Sequence, residues 1–444
     1  PPDSMTDQDL DDLCRAAAAQ YPRLRKVDAE WKRFLLRLAA ANQGQGQQPT
    51  QPGPPLRAGE PGGGEAAATF PVSLLCLSSS WGGLELNTVR FAGWMQQRGW
   101  PVQLITLPAS PIAACAAHMG LPVEELRNPW KAVDIAAARR LSRLLRGFGA
   151  RALIISRNGD LGLAVLCKTL CVPQLRLLYQ QHMQLGMAKR GLVHTLRYRA
   201  LDAWLTPLHS LGQQVLAKTR LAPQKLHIVP LGIELEKFST PSLTQAEARR
   251  KLELELSPGT VLLGLIGRFD DGKGQDFVVE ALAELRQQHP QLHLLLVGEP
   301  TRNEGNAYRD TVLQRVQALG LLDAVHVREF TPNPEVAYCA LDISITASIN
   351  ETYGMVTIEA MASGLPVVAS ATGGTLEIIT DGQTGLLFTL RDKTAFREAI
   401  GRLLTEQGLA QQLGRQAQEV ASATYSHHQQ CALSEQVLQS VCHA

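Results

Sequence analysis

From Pro71 onward, short apolar runs alternate with stretches whose apolar residues recur every three or four positions. Runs at 71–77 (PVSLLCL), 102–107, 152–156, 175–179 and 203–206 fit buried strands, and the segments between them fit amphipathic helices. This series ends near HIVPLGIELEKF, and a second begins at VLLGLIG (261–267) and continues through HLLLVG (293–298), VHV (325–327), ISIT (343–346) and PVVAS (366–370). Strand and helix in alternation predict parallel sheets covered on both faces. Two such series predict an α/β protein of two doubly wound, Rossmann-like domains facing a central crevice. Ligands of such sheets bind beyond the carboxyl ends of the strands, which singles out the residues just after each run.

Ahead of this pattern, residues 6–41 read as helical, with Thr6 and Asp9 as a capping-box-like start and Val27, Trp31, Phe34, Leu35 and Leu38 at helical spacing. Residues 42–66 are Gly, Pro and Gln with almost nothing to bury, which predicts a linker. The expected division is a helical extension and linker over 1–69, an N-terminal domain over 70–232 and a C-terminal domain over 233–425. A last helix over 426–444 can cross back to the N-terminal domain. A chain of 444 residues exceeds the roughly 250–300 at which one core stops growing, so two domains agree with its length. Pro1–Ser4 ahead of Met5 read as an expression remnant, and no signal-peptide pattern is expected.

Charge changes the picture more than composition does. The net +2 conceals 19 Lys+Arg against 6 Asp+Glu over 71–230, and 16 against 26 over 231–444. In 134–149, Leu141, Leu144, Leu145 and Phe148 form one helical stripe opposite Arg139, Arg143 and Arg146. Lys189, Arg190, Arg197 and Arg199 follow in a second segment. Such a surface suits a soluble helix with a solvated basic face, and it also suits anionic lipid or an anionic acceptor. No run of 18 apolar residues occurs, Lys168 interrupting one of the best candidates, so no transmembrane helix is expected. Eight cysteines at irregular spacing, without a CxxC pair, predict reduced, mostly buried thiols in a cytoplasmic protein.

Two stretches carry candidate chemistry. Arg268 and Lys273 follow the run 261–267 in GRFDDGKG (267–274), where two cations among glycines suit a pyrophosphate. A solvated loop with Asp270 and Asp271 paired to those cations is the other reading. In ETYGMVTIE (351–359), a helix opening at Gly354 would direct the N–H groups of Gly354, Met355 and Val356 outward at its positive end. Glu359 would lie a little over one turn on, suited to accept from a ribose diol, with Glu351 facing the crevice; an acidic pair on a solvated helix is the alternative. Glu359 is embedded in VTIEAMA, where an unpaired carboxylate would be costly to bury.

The set GR(x4)KG at 267–274, ETYGMVTIEAMASGLPVVAS at 351–370 and GGTLEIITDGQTGLLF at 373–388 resembles the large retaining family four of GT-B glycosyltransferases. The match is strong over 231–390, weaker over 70–230 and absent before 70. The resemblance implies a GT-B fold and sugar transfer from a nucleotide-diphosphate sugar, a UDP-sugar first and GDP-mannose next. Arg268 and Lys273 would hold the donor diphosphate, Glu351 would contact the transferred sugar and Glu359 the ribose. Amides of Gly354, Met355 and Val356 would meet phosphate and sugar, and the base would lie near Arg328 and Glu329. Gly82 and Gly83 resemble the glycine loop after the first strand, and His182 the donor-contacting histidine of the N-terminal domain. Tyr353 stands where Phe is commoner, and Ser348-Ile349-Asn350 where Pro-Ser is usual, which bears on sugar preference.

Fixed cations and helix-end amides can stabilise a departing diphosphate, so neither metal nor cofactor is expected. Asp-x-Asp occurs only in the N-terminal extension, as at Asp9–Asp11, which disfavours a metal-dependent GT-A mechanism. The acceptor expected of the basic half is an anionic or membrane-borne glycan or lipid, with peripheral contact to an anionic inner membrane face. Alternatives are a sugar-nucleotide epimerase or hydrolase of the same fold, told apart by donor turnover without acceptor, and a non-enzymatic basic binding protein. Nucleic acid is not expected, because aromatics do not interleave the basic residues, and no GxGxxG follows a strand as a dinucleotide-dependent dehydrogenase would need.

Overall fold

The computed structural model describes residues 69–127, 134–240, 242–300, 306–329 and 333–443. The helix expected over 6–41 and the linker expected over 42–66 lie outside the described residues. The chain forms two compact units: the first runs to Leu231 and takes in the residues from His428 on, and the second is Gly232–His427.

The first unit holds a seven-stranded parallel sheet of β1 (Val72–Cys76), β2 (Val102–Thr106), β3 (Val123–Glu125), β4 (Ala152–Ile155), β5 (Arg176–Gln180), β6 (Ala203–Thr206) and β7 (Leu226–Ile228). Its order is β3-β2-β1-β4-β5-β6-β7, so the winding reverses between β1 and β4. Every residue of β1, β2 and β4 is buried, as expected of strands covered on both faces, which read as unbroken apolar runs. Leu75, Ile105, Ile155, Tyr179 and Trp204 pack on one face with Leu141 and Leu145 of helix Ile135–Phe148. That helix is capped by Asp134, whose carboxylate accepts from Ala137 N at 2.7 Å, and it ends at left-handed Gly149. Arg139, Arg143 and Arg146 on its other side are exposed.

Val72, Leu74 and Cys76 pack on the opposite face with Phe91, Trp94 and Met95 of helix Gly83–Gln97. The last helix, His427–His443, completes this face with Cys431, Leu433, Val437 and Leu438. Glu435 of that helix pairs with Arg98 at 2.7 Å and accepts from Trp100 Nε1 at 3.0 Å. Two strands of this sheet carried little sequence signal. β3 reads Val-Glu-Glu on the sheet edge, too short and too charged to register as an apolar run, and β7 is three half-buried residues.

The second unit holds a six-stranded parallel sheet of β8 (Val261–Ile266), β9 (Leu292–Val297), β10 (Val325–Arg328), β11 (Ile343–Thr346), β12 (Val367–Ser370) and β13 (Leu386–Phe388), ordered β10-β9-β8-β11-β12-β13. Here the winding reverses between β8 and β11. Phe277 of helix Gln275–Leu285, Phe388 and Phe396 of helix Lys393–Thr405 stack at the centre of its core. The seven described cysteines are free thiols. Among the described residues, no helix is long and apolar enough to cross a membrane.

Candidate functional site

In the second unit the loops that follow β8 and β11 emerge at the reversal point, where doubly wound sheets bind ligands. After β8 the chain passes Gly267 and exposed Arg268 into a one-turn helix, Asp271–Lys273. Asp270 caps that turn, its carboxylate accepting from Gly272 N at 2.9 Å. Gly274 adopts φ +76°, and a Cβ there would lie 2.4 Å from the Ala347 carbonyl oxygen, so only glycine permits the β8 and β11 loops to approach this closely. Ile349 N donates to Gly272 O at 2.8 Å across the same contact. This lacing brings Lys273 Nζ to 2.7 Å from Glu351 Oε2, and Ser348 Oγ donates to the same oxygen at 3.0 Å. Both charged side chains are largely enclosed, at 26% and 13% relative exposure, so the pair is shielded more than a surface ion pair would be. Lys273 thus meets Glu351, while Asp270 serves as the turn's cap.

Glu351 is fixed from its other side by the third sequence block. Gly374 N donates to Glu351 O at 2.8 Å, while Ser370 Oγ and Thr372 Oγ1 donate to Ser348 O at 2.6 and 2.9 Å. Gly354 at φ +95° turns the chain into helix Met355–Ala362. Its carbonyl accepts from Thr357 N and Ile358 N, which leaves the N–H groups of Gly354, Met355 and Val356 ahead of the first intrahelical donors, at the positive end of the helix. Thr357 Oγ1 lies 3.1 Å from Thr346 Oγ1, anchoring the first turn to β11. Tyr353 is buried edge-on to Tyr425, with centroids 6.4 Å apart. Glu359, half-buried one turn further, meets the hydroxyl of buried Tyr338 at 2.9 Å from Oε2. The carboxylate in the apolar run therefore has its partner on the neighbouring helix Pro334–Ala340.

Arg328, expected near the nucleobase, has its guanidinium engaged by main-chain carbonyls. Its Nε and NH2 donate to the carbonyls of Leu252 and Glu253 at 2.6 and 2.7 Å, and NH1 donates to Val327 O. β10 is the sheet edge, so a side chain at its end reaches the turn after helix Gln245–Lys251 and ties it down.

In the first unit, Gly82 and Gly83 precede and open helix Gly83–Gln97 beyond β1. Gly82 is extended, and a Cβ on Gly83 would meet nothing within 4 Å. Buried Glu85 in the first turn accepts from Ser78 Oγ at 2.6 Å, and buried Asp160 after β4 accepts from Leu77 N at 2.8 Å. Burial raises the Asp160 pKa, opposed by Arg157 and by that hydrogen bond. His182 follows β5. Both its ring nitrogens are enclosed with no hydrogen-bond partner among the described residues, and burial lowers its pKa to about 4, so the ring is neutral at pH 7. Thr106 Oγ1, Ser156 Oγ and Gln180 Oε1 are likewise buried without a partner. The register of β2, β1, β4 and β5 sets these three and Cys76 at one level across the sheet.

Sequence reasoning missed Glu85, Asp160 and Tyr338. Their partners lie 7, 83 and 21 positions away, and for the last two only tertiary structure reveals the pairing.

Residues 246–420 match the family model for glycosyl transferases group 1. The D-inositol 3-phosphate glycosyltransferases of Stackebrandtia nassauensis and Acidothermus cellulolyticus are each 34% identical, over 233 and 238 residues. These matches cover 51% of this chain and 52% and 50% of theirs; the chain spans about half the length of the curated relatives it matches. Among solved structures, HepE of Anabaena in complex with UDP and glucose aligns with TM-score 0.70 at 19% identity over 83% of this chain and 99% of that one. A glycosyltransferase from Rickettsia africae aligns with TM-score 0.76 at 16% identity over 84% and 99%. At such identities these likenesses concern the fold, which is GT-B: two parallel-sheet, Rossmann-like units. The stretch that matches the family model for glycosyl transferases group 1, residues 246–420, is the one that holds the ion-paired Lys273 and Glu351 beside a glycine-initiated helix.

Proposed function

We propose that the protein is a retaining glycosyltransferase that moves a hexose from a nucleotide-diphosphate sugar, without a metal ion, to an anionic or membrane-borne glycan or lipid. The observation that carries this reading is the Lys273–Glu351 pair at the sheet's reversal point, beside the amides that open helix Met355–Ala362. A donor diphosphate offers Lys273 a more highly charged partner, and Arg268 adds a second cation at the same strand end. Glu351, released from the pair but still held through its main chain, is then available to accept from a sugar hydroxyl.

As the C1–O bond to the β-phosphate breaks, negative charge accumulates on the departing oxygen. Lys273, Arg268 and the helix-end amides are already in place to receive it, which is the preorganised electrostatic term that dominates many catalysed reactions. The acceptor oxygen forms the new bond to C1 on the face being vacated, and its proton passes to the departing phosphate. In the first unit His182, neutral at pH 7, offers a hydrogen-bonding group that adds no charge. We place the nucleobase preference on UDP first and GDP next.

The acceptor half of the reading rests on charge and exposure in the first unit. The excess of cations over 71–230 suits an anionic partner, and the curated relatives are named for D-inositol 3-phosphate, a phosphate-bearing polyol. Exposed Met183, Met187 and Leu192 bracket Lys189 and Arg190, and a mixture of apolar tips and cations of this kind suits an anionic bilayer on the cytoplasmic side.

Calorimetry against UDP-, GDP- and ADP-sugars with EDTA present tests the donor half. Saturable binding to one of them is expected, and no binding to any would overturn it. For the acceptor half, flotation at low salt should recover more protein with anionic than with neutral vesicles. Equal recovery would remove the membrane from the proposal.

A further inference from the structure

We propose that Tyr338 is a positioning residue for the donor nucleotide. Its buried hydroxyl holds Glu359 Oε2, which turns the carboxylate so that Oε1 is presented to the ribose diol of a nucleoside diphosphate. The inference rests on the reading of Glu359 as a ribose acceptor and adds a residue that helps to orient it.

Tyr338 sits on helix Pro334–Ala340, 1% exposed, with its ring edge-on to Phe238 at 5.8 Å. A phenol enclosed in this way cannot swing, so its hydroxyl is a fixed point. That hydroxyl is 2.9 Å from Glu359 Oε2 and 3.1 Å from Val356 O. Burial, and next the charge of Glu359, push the Tyr338 pKa well above its ordinary value, so it keeps its proton and donates. Each restraint on the Glu359 side chain lowers the rotamer freedom that a bound ribose would have to freeze. A cation in place of Tyr338 would orient the carboxylate as well, but would draw off the charge that makes it a strong acceptor of a sugar hydroxyl. A neutral donor orients it and leaves the charge in place. The same hydroxyl touches the carbonyl of Val356, so the ribose acceptor and the helix turn proposed to meet the diphosphate are tied to one atom.

Two ligand series test this: UDP, GDP and ADP, and their 2′,3′-dideoxy counterparts, bound to wild type and Tyr338→Phe in the presence of EDTA. Tyr338→Phe keeps the ring, so its unfolding midpoint serves as the control for structure. The expected result is a fivefold to tenfold loss of affinity for the ribonucleotide that wild type binds, with the dideoxy counterpart bound equally by both proteins. In a Glu359→Ala background the Tyr338→Phe change should have no further effect. Glu359→Asp, which withdraws the carboxylate from the hydroxyl, should reproduce the loss if Tyr338→Phe is too unstable to assay. Equal losses for ribo- and dideoxyribonucleotides, or no loss at all, would overturn the role of Tyr338 while leaving the donor site in place. Wild type that binds both series equally would instead remove Glu359 as the ribose acceptor, and the inference with it.

Discussion

Each unit carries a Gly-Gly pair beyond a strand's carboxyl end, just before a helix, and the two pairs are glycine for different reasons. Gly373 adopts φ +50°, and a Cβ on it would lie 2.1 Å from the Glu351 carbonyl oxygen, so no other residue fits. Gly82 is extended at φ −167°, its nearest neighbour 3.5 Å from a would-be Cβ, and Gly83 has none within 4 Å. Gly373 is demanded by main-chain packing around the residue that meets Lys273. The first unit's pair leaves room in front of a helix. The same contrast runs through the strand ends. Those of β8, β11 and β12 are laced together by hydrogen bonds, whereas Thr106, Ser156, Gln180 and His182 in the first unit bury polar atoms without partners. The loops beyond β8 and β11 are tied to each other, while beside the first unit's own pairs, Leu77–Asp160 and Ser78–Glu85, polar atoms stay buried without partners.

The largest expected effect is on turnover. Lys273→Ala and Glu351→Gln should each lower sugar transfer by at least about 10²–10³-fold, the range found when a preorganised charge-stabilising group is removed, with far-UV circular dichroism unchanged. Near-normal turnover in either would erase the second unit's special status. Next comes Gly373→Ala, which should cost about 2–3 kcal/mol through overpacking and left-handed strain, read from the urea midpoint.

A pH series comes third. His182 in the first unit and His326 in the second, 3.0 Å from His293, are each held near pKa 4, chiefly by burial, against an ordinary value of 6.5. Between those values the unfolded chain binds the extra proton, so the stability these rings contribute is complete above about pH 6.5 and is lost as pH falls toward 4. The thermal midpoint should drop over that window, and His182→Gln and His326→Gln should each flatten the slope. The smallest effect belongs to Gly82→Ala, expected within about 0.5 kcal/mol of wild type. A cost as large as that of Gly373→Ala would break the comparison between the two pairs.

The sequence made the second unit's site legible because its parts are local. The apolar runs of β8 and β11 end where Arg268, Lys273 and Glu351 begin, and a glycine marks the start of helix Met355–Ala362. Strand order was not legible: nothing in VHVRE says that β10 is an edge or that the Arg328 guanidinium reaches the turn after helix Gln245–Lys251. Glu359 in VTIEAMA announced only that a partner must exist. Identifying Tyr338 as that partner required two helices to be brought together. In the first unit Asp160 was invisible for the same reason, since its neighbour Leu77 is set by the reversal between β1 and β4, whereas Glu85 pairs locally with Ser78.

The helix His427–His443 gives the order of synthesis a structural meaning. It supplies Cys431, Leu433, Val437 and Leu438 to a face begun by Val72 and Leu74, yet it leaves the ribosome after the whole second unit. At about 5–20 residues per second, that interval is on the order of tens of seconds. Throughout it, the nascent first unit shows an apolar wall whose cover has not been made. Cutting the chain at Leu231 would make that exposure permanent, so a soluble fragment of the first unit calls for joining Leu231 to the segment from His428 through a short linker.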